Sequence, residues 1–344
     1  MPTWPTLTGA VLAGALLAPL SVAAPAAADA PPAFHINDPR ITESSGLQAS
    51  HRHADVYWTH NDQDTAPNIY AIDGTTGDTL ATVTLAGVEG RDLEAISLGP
   101  EGDLYIGDIG DNYDGGWSEV WIYRIPEPET LADATVTPTV YTATYDDGPR
   151  DAEALMVHPE TGRVYIASKK EDGGGALYAG PAQLTEAGVN AFQRVADIDV
   201  WVTDGAFSPD GTRLMLRGYF TAQMYRWTPD GTPEPIDRRV IPGGPMQGES
   251  VTFTPDGRTL MFGGEDENSE VEPVELAGEL LPESARESSP PEEESDSDSD
   301  SDAAGGRDEE DDEGISTGTA STLIVGVLII LGVRYLSVSG KKKG

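Results

Sequence analysis

The chain has 344 residues, with 59 Asp and Glu against 21 Lys and Arg, a formal net charge of −38. A surface this acidic repels a polyanion, which excludes nucleic acid as a partner; it holds water and cations instead and suits a saline medium. There is no cysteine, so disulfides, thiolate zinc sites and a cysteine nucleophile are excluded too, and the fold must stand on its own core or on an oxygen-ligated metal.

Residues 1–28 are predicted to be a secretory signal peptide. An apolar run spans about residues 10–20, and Ala26 and Ala28 stand as in an A-x-A site, with cleavage before Asp29. No Lys or Arg precedes the run, and a retained anchor is the alternative, though the run is short for a membrane span.

Residues 29–276 are rich in Gly, Pro, Asp and short apolar runs, a pattern of many short strands rather than long helices. The segment from Arg91 (RDLEAISLGPEGDLYIG) is echoed from Arg150 (RDAEALMVHPETGRVYIAS). Looser copies begin at Glu43, Thr203 and Gly248. Measured between Leu47, Ile96, Leu155, Phe207 and Phe253, the steps are 49, 59, 52 and 46 residues. A period of about 40–50 residues with four strands per unit predicts an all-β, five-bladed β-propeller. Six blades is the alternative, because the 59-residue step has room for irregular structure. The last unit lacks its outermost strand, and the segment from Phe34 to Arg40 is expected to supply it, closing the ring and hiding the sheet edges.

A polar residue precedes each innermost strand: Ser45, Glu94, Glu153, Asp204 and Glu249. In a propeller these residues ring the mouth of the central channel, and clustered carboxylates there either take up protons or hold a cation. Oxygen-only ligands suit Ca²⁺, so these five are the expected metal ligands. The alternative is that each glutamate only hydrogen-bonds to neighbouring backbone N–H groups. The second strand of each unit returns to the same face and ends near Asp62, Asp111, Lys169 and Arg217, while Arg91 and Arg150 stand just before the ring. Asp62 and Asp111 are therefore the candidate catalytic bases. Arg91, Arg150, Lys169 and Arg217 are the candidate anion-binding groups, since guanidinium and ammonium groups hold carboxylate or phosphate. No GxSxG elbow and no HExxH motif is present.

Residues 277–314 contain 16 acidic residues, two Arg and no aromatic residue. They are predicted to form an acidic disordered stalk extended by self-repulsion. Residues 315–338 are predicted to form one transmembrane helix, its apolar stretch from Ile315 to Val333 reaching about 28 Å, close to the hydrocarbon thickness of a bilayer. Residues 339–344, with Lys341, Lys342 and Lys343, form a basic tail on the cytoplasmic side. The expected topology is a single-pass cell-membrane protein with the propeller outside, a monomer whose partner is a small anionic ligand or a surface protein.

ESSGL, YWTHND, DLEAI and LYIGDIGDN together resemble secreted actinobacterial propellers of the WD-repeat-like, SdiA-regulated or phytase-like type. The ring of Ser45, Glu94, Glu153 and Glu249 is similar to the channel of calcium-dependent apyrases, whose five blades hold a central Ca²⁺ through Ser and Glu. Asp204–Gly205 departs from that pattern, which has Ser in the fourth place. The resemblance covers residues 34–276. It implies a propeller with channel-bound calcium, and either a Ca²⁺-stabilised binding or scaffolding module or a Ca²⁺-dependent extracellular hydrolase of phosphoesters or related esters.

Overall fold

Strands of two kinds build the molecule. In one kind, apolar and polar residues alternate: along Thr79–Leu85 the side chains of Ala81, Val83 and Leu85 are buried while their neighbours are more exposed, the period-two signature of a half-buried strand. In the other kind every position is buried, as along Leu93–Leu98, which is what a strand packed on both faces requires. The computed structural model describes residues 30–62, 67–113, 115–170, 174–243 and 247–288. These fall within one compact unit, Met1–Pro290; a second unit, Pro291–Gly344, lies outside the described residues. So do the expected signal peptide, the transmembrane helix, the basic tail and most of the stalk. Among the described residues no helix is long and apolar enough to cross a membrane.

The described residues open with β1 (Phe34–His35) and then lay down antiparallel sets. The first is β2 (Ser44–Ala49), β3 (Val56–Asn61), β4 (Asn68–Asp73) and β5 (Thr79–Leu85). The next is β6 (Leu93–Leu98), β7 (Asp103–Asp108), β8 (Val120–Pro126) and, after a detour through β9 (Ala134–Val136), β10 (Thr139–Tyr145). There follow β11 (Ala152–Val157), β12 (Val164–Ser168), β13 (Gly175–Ala179) and β14 (Val189–Ile198). Then come β15 (Val202–Phe207), β16 (Arg213–Gly218), β17 (Ala222–Trp227) and β18 (Pro233–Pro235). The last set is β19 (Gly248–Phe253), β20 (Thr259–Gly264) and β21 (Glu270–Glu275), completed by β1, which pairs with β21 through Phe34↔Val271 and His35↔Glu270. The N-terminal segment thus supplies the missing strand, as expected.

The innermost strands adjoin one another in a closed cycle: β2 with β6, β6 with β11, β11 with β15, β15 with β19, and β19 with β2. This is the arrangement of a β-propeller. Each apolar cluster straddles two neighbouring sets. Trp58, Ile69 and Val83 meet Ile96, Ile106 and Ile125, and Phe34, Leu47 and Tyr57 meet Met261 and Val271 across the closure. The exposed edge of an innermost strand is capped by side chains from the preceding set. Leu98 N donates to Gln48 Oε1 (3.1 Å), Val157 N to Ser97 Oγ (3.0 Å), Val251 N to Asp204 Oδ2 (2.7 Å) and Ala49 N to Thr252 Oγ1 (3.2 Å). These bonds satisfy main-chain donors that the sheets leave over.

The 59-residue step has a local cause. The extra residues form β9, which leaves its own set and pairs in parallel with β5, Val83↔Ala134 to Leu85↔Val136. The long β14 likewise pairs in parallel with β10. The spare length therefore covers outer edges and builds no further innermost strand among the described residues. At the other end, the first residues of the stretch expected as stalk, 278–287, are folded. Gly278–Leu280 forms a 3₁₀ turn and Glu283–Glu287 a short helix, α1. Leu280, Leu281 and Ala285 are buried against Met215, Phe253, Leu260 and Phe262. Three apolar side chains among the acids are enough to fold this stretch onto the body.

Candidate functional site

Each innermost strand carries the same irregularity. The register slips between Ser45 and Leu47, Leu93 and Ala95, Ala152 and Ala154, Val202 and Asp204, and Gly248 and Ser250. The residue left over at each bulge is Gly46, Glu94, Glu153, Thr203 or Glu249. A bulge re-aims the extra side chain and leaves it out of the ladder, and here it turns three glutamates toward one end of the channel. The true repeat differs from the expected ring in two places, because Ser45 and Asp204 stand one residue out of register with the glutamates.

Three buried carboxylates gather at this mouth. Asp62, Asp92 and Glu94 each bring one oxygen within 4.8 Å of the others. Two oxygens on opposite sides of a Ca²⁺ at about 2.4 Å each lie about 4.8 Å apart, so the trio fits around one such ion. The backbone makes room for it: a Cβ placed on Gly110 would stand 2.6 Å from both Asp92 Oδ2 and Glu94 Oε1, so glycine alone lets the chain pass against the carboxylates. Asn112 Nδ2 donates to both oxygens of Asp92 (3.0 and 3.2 Å), and Ser45 Oγ donates to Glu94 Oε2 (3.3 Å). The donor set is entirely oxygen, which suits Ca²⁺ or Mg²⁺ and not a soft metal.

The electrostatics show the strain of this crowding. Burial, then the charges of Glu153, Asp62 and Asp92, push the Glu94 carboxyl well above its usual range. Burial also raises Asp92, with Asp151 and Asp108 adding to it. Burial lifts Glu153 to about 7, against the opposing pull of Lys169. A positive charge placed here would lower all three.

Lys169 already supplies one. Its Nζ lies 2.5 Å from Glu153 Oε1 and 5.1 Å from the centre of the Tyr219 ring. Burial disfavours the ammonium, but Glu153, Tyr219, Glu94 and Glu249 outweigh it and hold Lys169 firmly protonated.

The other expected residues have different work. Asp111 is fully buried and its carboxylate accepts the backbone N–H groups of Tyr113 (3.1 Å) and Trp117 (2.7 Å), so it shapes its own loop and is not placed as a base. Arg91 lies between the rings of Trp117 and Trp121, at 4.2 and 4.4 Å, and donates to Glu119 O. Arg150 pairs with Asp147 at 2.6 Å and covers Tyr178. Neither guanidinium is presented as an open anion clamp. Arg217 is buried, donates to Ser250 O at 2.6 Å and lies flat on Gly248, where a Cβ would collide with it. Burial lowers it to about 10, with Glu249 and Asp204 opposing. Asp204 accepts Gly205 N and Val251 N, each at 2.7 Å, which makes it a clamp between two strand sets and not a ligand of the mouth. Glu249 remains at the mouth, near Lys169 and Arg217.

Asp92 was missed as a ligand, and its signal is in the chain. Both copies of the motif read Arg-Asp-x-Glu, which sets an aspartate two residues before each of these bulge glutamates. Asp92 therefore accompanies Glu94, as Asp151 accompanies Glu153, whose carboxyl it helps to raise.

No protein-family model matches the chain, and no curated protein matches it. Among solved structures it is similar to a gluconolactonase from Xanthomonas campestris, at 12% identity and a TM-score of 0.44 over 70% of this chain and 88% of that one. It is also similar to a candidate 6-phosphogluconolactonase from Bacteroides uniformis, at 15% identity and a TM-score of 0.38 over 69% and 68%. A candidate glucose dehydrogenase from Thermus thermophilus matches at 15% identity and a TM-score of 0.39, over 68% and 84%.

Proposed function

We propose that this chain is a five-bladed β-propeller that binds one divalent cation, Ca²⁺ by preference, on Asp62, Asp92 and Glu94, and that it hydrolyses small esters with that cation's help. The count of five is supported by the cycle of innermost strands β2, β6, β11, β15 and β19. The reading of the site is carried by one observation: three buried carboxylates share a space that Gly110 keeps open. Three protein ligands leave a Ca²⁺ ion, which takes about 6–8 oxygens, with positions for water and substrate. A cation held there supplies Lewis-acid polarisation of an ester oxygen. Glu153, buried beside the trio, replaces Asp111 as the candidate base; Asp62 becomes a ligand. Because Arg91 and Arg150 are engaged in stacking and pairing, neutral carboxylic esters suit the mouth better than phosphoesters. The sequence supports export through residues 1–28 and tethering by residues 315–338, with a monomeric propeller at the cell surface.

A Ca²⁺-stabilised binding module is the second reading, and Lys169 favours it: its ammonium is tied to Glu153 and not held open for a reacting group. One experiment separates the two. Turnover on a panel of aryl esters, gluconolactone and nucleotides, lost with EGTA and with Glu94→Gln, supports the hydrolase. No turnover, with a melting temperature that falls in EGTA, supports the module. A melting temperature that ignores EGTA overturns the metal reading in both.

A further inference from the structure

We propose that Asp108 is the fourth carboxylate of the cation centre: it acts as a positioning residue that holds Asp92 by its backbone N–H and sets a buried negative charge behind the trio. This rests on the reading of Asp62, Asp92 and Glu94 as the cation ligands and deepens it. The charge sets how strongly the site prefers ions of higher valence.

The five strand sets share one position. The first pair between innermost and second strand joins Ser44 to Asn61, Leu93 to Asp108, Ala152 to Ser168, Val202 to Gly218 and Gly248 to Gly264. In the first set, Asn61 Oδ1 accepts the N–H groups of Thr42 (3.1 Å) and Glu43 (3.2 Å), the two residues before Ser44. In the second set, the Asp108 carboxylate accepts the N–H groups of Arg91 (3.3 Å) and Asp92 (2.9 Å), the two residues before Leu93. The contacts match residue for residue, and in the first set a neutral amide oxygen makes both. Holding this stretch of backbone therefore needs no charge. Of the five residues at the shared position, Asp108 alone carries one, and it stands in the set that supplies Asp92 and Glu94.

A buried charge where an amide suffices costs stability. Asp108 is fully buried. Its remaining partner, Tyr123 Oη at 2.8 Å, is a neutral donor like the two backbone groups. Three neutral donors stabilise a carboxylate and leave its charge in place. That charge is one hydrogen bond from Asp92, whose carboxylate oxygen belongs to the trio. A fixed negative charge attracts an ion through space in proportion to the ion's own charge, so the cost of burying Asp108 is offset when a multivalent cation binds.

Calorimetric titration of the full chain in mild detergent tests this, with CaCl₂ and with TbCl₃, whose ion is close to Ca²⁺ in size and carries one charge more. Wild type is compared with Asp108→Asn, which keeps an oxygen for Asp92 N, as Asn61 does for Glu43 N, and removes the charge. Because the attraction scales with ionic charge, a loss of about tenfold for Ca²⁺ goes with a loss of about thirtyfold for Tb³⁺. The melting temperature of Asp108→Asn in EGTA is expected to equal or exceed that of wild type. Unchanged affinity for both ions overturns the proposal. An equal loss for both also overturns it, since displaced ligands would weaken the two ions alike. A lower melting temperature in EGTA, or failure to fold, overturns it as well, because the carboxylate would then serve the fold. No binding of either ion by wild type removes the cation reading and this proposal with it.

Discussion

Gly110 is the residue on which the mouth turns. Its Cα passes so close to Asp92 and Glu94 that a single methyl group would stand 2.6 Å from an oxygen of each, well inside contact distance. The Gly110→Ala chain is expected to keep its fold, since the methyl displaces only carboxylates at an open end of the channel. It should lose cation affinity by tenfold or more, because the trio can no longer close on one ion. Calorimetry with CaCl₂, alongside melting in EGTA, checks this: equal affinity in the two chains would remove Gly110 from the site. Residue identities at the mouth were half legible. Glu94, Glu153 and Glu249 stand out because an acid repeats before a buried strand. Asp204 looks like their fourth member and is not, because what decides is register. One residue of slip aims its carboxylate at Gly205 N and Val251 N, and such a slip leaves no mark in a single sequence. The burial of Arg217, flat against Gly248, is equally silent, since it depends on a glycine of the next strand set.

At the scale of elements, the strands and their turns were readable because period-two alternation and Pro-Asp-Gly turns are local. The bulges, the edge strand β9 and the fold of residues 278–287 were not, because each depends on a distant partner. The last of these carries a prediction. Glu283 N donates to Thr212 Oγ1, Ser284 N to Asp210 Oδ2, and Arg258 donates to Ala285 O, so the segment clasps the turns that join innermost to second strands in the last two sets. These turns lie at the end of the channel opposite the mouth. Burying Leu280 and Leu281 contributes about 2 kcal/mol each. A chain ended at 276 should therefore melt roughly 10 °C below one ended at 288, with unchanged cation affinity per folded molecule. Equal melting temperatures would return the segment to the acidic linker.

The strand sets of residues 30–288 close into a ring whose stability is set against the charge it concentrates at one end. Burial raises Asp92, Glu94, Asp108, Asp151 and Glu153 above their ordinary values, and repulsion from neighbouring carboxylates adds to it in all but Asp108. An acid raised by folding stabilises the fold while protonated, so its contribution is full below the unfolded value and is lost as pH rises through the folded one. For Glu153 that window runs from 4.5 to about 7. His60 works the other way: burial lowers it from 6.5 to about 4, so its contribution is present above 6.5 and lost as pH falls toward 4. Burial likewise raises Asp204 and lowers His51 and His158, so six raised acids stand against three lowered histidines, and the net expectation in EGTA is a melting temperature that falls from pH 5 to pH 7. Glu153→Gln should flatten that fall, since it removes the group whose window spans it. A cation bound at the mouth reverses the sign, because it favours the ionised carboxylates and binds only the folded ring. At a concentration of about 100 times its Kd it adds about 2.7 kcal/mol, or roughly 5–10 °C for a domain of this size. Melting curves at pH 5, 6 and 7, with EGTA and with calcium, should therefore diverge as pH rises. Parallel curves would mean that the clustered carboxylates neither repel one another nor hold an ion, and the acidic mouth would then be only a solvated rim.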